Sequence, residues 1–193
     1  MLPIGPEVPR TISVAGLGAL QAAQWFHDGT HVVFTGQRPE SRQAELFVVP
    51  LDGGAPESIS DGGVVPFSFE VSRDDRLVAA QASDEILTLY STKGGRPIAL
   101  PELGKDAVPV GWTAEGQLWV QVQSLRGPPS HLLRYDISNR RTLEERTFSL
   151  GDSTGVLALR DAHIAADGGA IAFGYQRILG DLVIMDGLAM PMP

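Results

Sequence analysis

Residues 25–36, Trp-Phe-His-Asp-Gly-Thr-His-Val-Val-Phe-Thr-Gly, carry the end of one apolar strand, an acidic tight turn and a second apolar strand. His31-Val32-Val33-Phe34-Thr35 is rich in the β-branched and aromatic side chains that suit a pleated, half-buried surface. Asp28-Gly29 supplies a carboxylate for local backbone N–H groups and a residue free to take positive φ, which a hairpin turn asks for. The same device recurs at Val71-Ser72-Arg73-Asp74-Asp75, Trp112-Thr113-Ala114-Glu115-Gly116 and Ile164-Ala165-Ala166-Asp167-Gly168. The acidic members Asp28, Asp74, Glu115 and Asp167 are separated by 46, 41 and 52 residues. Strand-rich units repeating every ~40–50 residues are propeller blades.

Outward from each turn the order is the same. In the first unit Leu20–Trp25 and His31–Thr35 are followed by a Gly/Pro/polar loop from Gly36 to Gln43, an apolar strand Leu46–Val49, a turn at Asp52-Gly53-Gly54 and a polar outer strand Glu57–Ser60. The second unit repeats this with Phe67–Val71, Leu77–Gln81, Ile86–Tyr90 and Pro97–Leu100, the third with Val110–Trp112, Leu118–Val122, Leu132–Tyr135 and Arg141–Phe148. The fourth offers Ala162–Ala165, Ile171–Tyr175 and Leu182–Met185 and lacks an outer strand. The expected architecture is all-β: a β-propeller built of four-stranded antiparallel blades, about four blades present, the whole a partial propeller. The divisions are 1–19, an outer strand and linker from a preceding blade; 20–63, 64–107 and 108–155, blades 1 to 3; 156–188, an incomplete blade 4; and 189–193, a tail. An outer strand is expected at Arg10–Val14. In a closed ring it would pair with Leu182–Met185. An open array would instead expose apolar faces on blades 1 and 4 and favour self-association.

Three residues before each acid stand Trp25, Val71, Trp112 and Ile164, and four after it stand Val32, Val78, Trp119 and Ile171. All are apolar, so blade-to-blade packing accounts for the tryptophans better than a ligand-stacking platform.

The 22 glycines and 14 prolines, about a fifth of the 193 residues against a usual ~12%, lie between short apolar runs and mark turn-dense β structure. No cysteine is present, which excludes disulfides and thiolate metal sites. A net charge of -8 argues against binding to phosphate backbones or anionic lipid. The first 18 residues lack the basic start and long apolar core of a signal peptide, and no run of 18 apolar residues occurs. The expectation is a chain that neither binds nucleic acid nor inserts in a membrane, cytoplasmic as given, or extracytoplasmic as part of a membrane-anchored protein.

The run at 25–36, Val-Pro-Leu-Asp-Gly-Gly at 49–54, Val-Pro-Val-Gly-Trp-Thr-Ala-Glu-Gly at 108–116 and Ala-Phe-Gly-Tyr-Gln-Arg-Ile-Leu-Gly-Asp-Leu-Val-Ile-Met-Asp-Gly-Leu at 172–188 resemble the TolB-like, WD-repeat-like (PD40-type) β-propellers fused C-terminal to bacterial serine/threonine protein kinases. The resemblance covers nearly the whole chain and implies a sensing or binding propeller that follows a kinase domain, often with a membrane helix between them. Propellers of that family usually close with six or more blades, so this chain resembles their C-terminal portion. Kinase activity is not implied, because the chain has no Gly-rich phosphate loop, Val-Ala-Ile-Lys lysine, His-Arg-Asp or Asp-Phe-Gly.

Gly151-Asp152-Ser153-Thr154-Gly155 matches the G-x-S-x-G nucleophile pattern, which needs a base and a strand-to-helix elbow. The one downstream histidine, His163, adjoins the core position Ile164, and the segment links two blades, so a Gly/Ser loop is expected. Gly16-Leu17-Gly18 lacks the third glycine and the βαβ setting of a dinucleotide fingerprint. His27, His31, His131 and His163 show no ligand spacing. The repeated acids, which could form a cation-binding ring, read as turn residues bonded to local backbone. Arg134, Arg140, Arg141 and Arg146, mixed with Glu144 and Glu145, read as a solvated hairpin edge. Loops Gly36–Gln43 and Gly127-Pro128-Pro129 are the longest insertions and the default place for a ligand.

The expected function is a non-catalytic binding or sensing scaffold. No catalytic, cofactor or metal residues are assigned, the ligand-binding residues are unknown, and the partner is a protein or small molecule of unknown identity. The alternative is a propeller that serves a serine peptidase or hydrolase encoded elsewhere.

Overall fold

The computed structural model describes residues 11–60, 62–122 and 127–180. They form fourteen strands and one short 3-10 turn, Pro101–Leu103. Blade 1 is β1 (Leu20–Trp25), β2 (His31–Gln37), β3 (Ala44–Pro50) and β4 (Glu57–Ser58). Blade 2 is β5 (Val64–Val71), β6 (Leu77–Ala82), β7 (Leu87–Ser91) and β8 (Ile98–Ala99). Blade 3 is β9 (Ala107–Trp112), β10 (Leu118–Val122), β11 (Ser130–Asp136) and β12 (Arg141–Phe148), and the described part of blade 4 is the pair β13 (Val156–Ile164) and β14 (Ile171–Arg177). All pairs are antiparallel, and each sheet runs in sequence order, as a meander does. The innermost strands pack in a row, β1 against β5, β5 against β9 and β9 against β13.

The recurring turn owes its shape to one hydrogen-bond pattern. Gly29 N donates to Phe26 O, Asp75 N to Ser72 O, Gly116 N to Thr113 O and Gly168 N to Ala165 O, at 2.8–3.2 Å. The donors all have positive φ (68°, 59°, 79° and 70°), a region cheap for glycine; Asp75 alone is not glycine. The acids behave as turn residues: Asp28, Asp74 and Asp167 accept the N–H two residues on, from Thr30, Arg76 and Gly169, at 2.8, 3.2 and 2.8 Å.

The third turn corrects the alignment of repeats. Phe26 N reaches His31 O, Ser72 N reaches Leu77 O and Ala165 N reaches Ala170 O, whereas Thr113 N reaches Gln117 O, one residue sooner. Trp112 therefore pairs with Leu118, not Trp119. A shift of one residue reverses the face. Trp112 and Leu118 pack back towards blade 2, among Ala79, Leu87 and Leu89. Trp119, 1% exposed, packs forward with Ala162 and Ile164 of blade 4. Both are core, on opposite faces of one sheet.

Equivalent polar side chains clasp each blade to the next. Thr35 Oγ1 donates to Pro66 O at 3.0 Å, Gln81 Nε2 to Lys105 O at 2.8 Å and Gln121 Nε2 to Leu159 O at 3.0 Å. Each lies three residues after the residue paired with the strand end (Val32, Val78, Leu118), and each is nearly or fully buried. The blade 4 equivalent is Gly174, which has no side chain to extend the series.

The two ends of the row differ. On the rear face of blade 1, Val32, Phe34, Phe47 and Val49 are covered in part by Ile12, Val14 and Leu17. Trp25, at the place where Val71 and Trp112 are buried, is 51% exposed, so its assignment to the core fails. No described blade stands behind it. On the described part of blade 4, Arg160, His163, Ala172, Gly174 and Gln176 are exposed and polar or small, while Leu157 and Tyr175 of the same two strands are exposed apolar side chains. Thr11–Val14 form no strand; Arg10 and the Leu182–Met185 strand lie outside the described residues, as does part of the 123–129 loop.

Candidate functional site

Irregular pairing falls on the inner strand of every blade: between Leu20 and Ala23, Val64 and Phe69, Pro109 and Gly111, and Arg160 and His163. Such bulges re-aim side chains, often beside sites. The residues just before the strand-end positions form a row across the four inner strands: Gln24, Glu70, Gly111 and His163. Period-2 alternation turns them away from the rear faces that bury Val71 and Trp112.

Gln24 ties β1 to β5, donating from Nε2 to Phe69 O at 2.8 Å and accepting Val71 N–H at 3.2 Å. Trp112 Nε1 donates to Glu70 O at 3.2 Å, tying β9 to β5. Gly111 has φ 153°, and a Cβ there would meet Ile164 Cγ2 at 3.1 Å, so blade 3 contributes no side chain to the row. In the same row the Glu70 carboxyl is 18% exposed, with His163 Nδ1 at 3.8 Å and the His163 ring 70% exposed. Burial lifts the Glu70 carboxyl from 4.5 to about 7, and the Gln24 amide and Arg73 charge offset this only in part.

These groups line a cleft of about 400 Å³ at the inner-strand ends, whose walls include Trp25, His27, Arg73, Val110 and Ile164. The volume suits a small ligand or one side chain of a partner. His27 and His163, which the sequence leaves in separate blades, border the same cleft. Glu70 itself carries no sequence signal beyond an acid in an apolar strand. The only pointer is its equivalence to Gln24 and His163, polar residues in the same slot.

The other candidates lie elsewhere. Ser153 Oγ donates to Leu150 O at 3.2 Å and meets Ser149 Oγ at 3.2 Å, in the loop joining β12 to β13, with no helix following. Asp152 there accepts Thr154 N–H at 3.0 Å and stands 3.3 Å from Arg177 Nη1. His31 Nδ1 is 2.6 Å from Thr30 Oγ1, and His131 Nδ1 is 2.8 Å from Glu145. Among the described residues no three His, Asp or Glu side chains converge as a metal site would require. Arg134 and Arg146 are not a free solvated edge: their guanidiniums flank the Trp119 ring at 5.9 and 5.0 Å, and Arg146 Nη1 donates to Gly168 O at 2.5 Å, a bond to blade 4.

Among solved structures, TolB from Acinetobacter baumannii is similar at a TM-score of 0.59 and 18% identity, over 80% of this chain and 37% of that one. A candidate TolB from Agrobacterium tumefaciens is similar at a TM-score of 0.55 and 17% identity, over 84% of this chain and 62% of that one. The fold is that of a TolB-like β-propeller. This TolB-like chain spans less than two thirds of the length of either structure. No family model matches it, and no curated protein does. No helix among the described residues of this TolB-like chain is long and apolar enough to cross a membrane.

Proposed function

We propose that this chain is a non-catalytic binding or sensing propeller that takes its ligand in the inner-strand cleft, and that it is a regulatory segment C-terminal to a serine/threonine kinase-like domain. The observation that carries the binding role is the Glu70 carboxyl, largely buried yet facing an open cleft beside His163. A structural carboxylate in that position would be expected to hold a fixed cation or to be replaced by an apolar residue. The TolB-like fold supports a binding scaffold, since propellers present loops and inner-strand ends around a shared axis. The kinase link rests on the sequence resemblance alone.

Two experiments test this reading. Screening small-molecule fragments while following the Trp25 indole N–H by NMR reads the cleft directly; the absence of any perturbation across a broad library would sink the cleft as a ligand site. Determining the coding sequence upstream tests the kinase link, and an adjacent hydrolase domain in place of a kinase would replace it with the peptidase-associated alternative. Self-association through the rear face of blade 1, where Leu20 is 53% and Trp25 51% exposed, belongs to the same proposal. Light scattering showing only a 20.6 kDa monomer would remove it.

A further inference from the structure

We infer that the Glu70 end of the cleft is a seat for a positively charged nitrogen, a protonated amine or guanidinium at the end of an alkyl stem; this rests on the cleft being the ligand site. Every element packed around Glu70 leaves its carboxyl short of a fixed cation. From β1 comes the neutral Gln24 amide, already shared with Phe69 O and Val71 N. From β9 come the bare backbone of Gly111 and the Trp112 indole, whose N–H is taken by Glu70 O. From β13 comes His163, 3.8 Å away and mostly in solvent. From the β5–β6 turn comes the exposed Arg73, while His27 at the rim is held by Asp75 at 3.1 Å.

An amine or guanidinium meets what is lacking there. The cleft that Glu70 lines leaves an approach to the carboxyl, and Val71, Val110 and Ile164 give an apolar wall for a stem. The half-exposed Trp25 stands in the wall of the same cleft. The net charge of -8 draws cations rather than anions to the chain.

The charge balance supplies a signature. Burial pushes the Glu70 carboxyl up to about 7, so its protonated form is present near neutrality. Binding R–NH3+ converts Glu70–COOH to carboxylate and releases that proton to water, so occupancy should lower the titration midpoint of Glu70. Affinity should fall as pH drops below about 7 and level off below the lowered midpoint, by about tenfold for each pH unit of that shift.

The experiment follows the Glu side-chain carboxyl carbons of 13C-Glu-labelled protein and the Trp25 indole N–H by NMR, in the presence of butylammonium, agmatine or the peptide Gly-Gly-Lys-Gly-Gly. Controls are butanol, butyrate and the norleucine peptide. The expected result is saturable binding of the cations only, a Glu70 midpoint lowered by about one pH unit or more, and at least a tenfold loss of affinity in Glu70→Gln. The wild-type titration does not depend on that variant folding. Free amines binding without the peptide, or the peptide binding without them, both support the seat and identify the source of the cation. Butyrate binding in place of the amines would overturn the cation seat while leaving the cleft as a ligand site. Amine binding unchanged in Glu70→Gln would overturn it too. No response to any probe at about 50 mM, a concentration that detects even weak fragment affinity, would overturn both the seat and the cleft.

Discussion

The carboxylate of Asp75 reaches back from the blade 2 turn to the blade 1 turn, accepting the backbone N–H of His27 at 2.7 Å and of Asp28 at 2.9 Å, with His27 Nδ1 at 3.1 Å. Asp75 occupies the slot where the other three turns have glycine, and it holds φ 59° there. An acid for which positive φ costs more than it does for glycine is thus kept where its side chain locks two blades together. Asp75→Gly relieves about 1 kcal/mol of backbone strain and removes two charge-assisted hydrogen bonds of roughly 1.5 kcal/mol each or more. A net loss of about 2 kcal/mol or more in urea unfolding is expected, with Asp75→Asn closer to wild type. A stabilised Asp75→Gly protein would show that the clamp contributes nothing.

The tryptophans should separate by environment. Trp112 and Trp119 are 4% and 1% exposed and fill opposite faces of blade 3, so alanine at either should cost roughly 3–5 kcal/mol. Trp25, 51% exposed, should cost under about 1 kcal/mol. Equal losses at Trp25 and Trp112 in thermal melts would mean that the rear face of blade 1 is covered in solution.

Gln121 spans blades 3 and 4 through Leu159 O and also donates to Ser130 Oγ at 2.9 Å. Replacing it with leucine leaves the buried Leu159 carbonyl short of its donor, a loss of about 1–3 kcal/mol. The effect should be local: amide exchange in β13 should quicken while that in β2 and β3 keeps its rank. Uniform acceleration across the chain would argue against a clasp.

Glu70 gives a pH dependence of defined sign. Its folded-state value, about 7, lies above the ordinary 4.5 because burial disfavours the charged form. The folded protein therefore holds this proton more tightly than the unfolded chain. The resulting stabilisation is complete below about pH 4.5 and is lost as pH rises through 7, on the order of 1–3 kcal/mol. Below pH 4.5 the opposite slope of Asp28, Asp136 and Asp152, whose values are lowered by hydrogen bonds, takes over. Glu70→Gln should flatten unfolding free energy between pH 5 and 8 relative to wild type, an interval set by that shift. An unchanged slope would place the burial effect elsewhere.

Ser153 is bound to Leu150 O in a surface loop. Purified protein should show no esterase or peptidase turnover that Ser153→Ala abolishes. Labelling of Ser153 by a fluorophosphonate would contradict this.

The chain's own residues specified the turns and strands, because those depend on short-range effects. Asp28, Asp74 and Asp167 bond to N–H groups two residues away, and the apolar strands β2 and β3 form from the β-branched runs that announce them. One local feature was misread: the third turn is a residue shorter, which only the bond from Thr113 N to Gln117 O reveals. That single residue decides which face Trp119 takes.

Burial was decided by the neighbouring blade. Trp25, Val71, Trp112 and Ile164 are alike in the sequence, yet Trp25 stays half exposed because no described blade stands behind it. Glu70 reads as one more acid, and only burial in the assembled blades, beside Gly111, Trp112 and His163 in one cleft, pushes its carboxyl up to about 7. Turn chemistry and strand alternation act within a few residues and can be read in order along the chain. Desolvation depends on atoms brought from ~40–90 residues away by the stacking of repeats, and only the assembled blades set it.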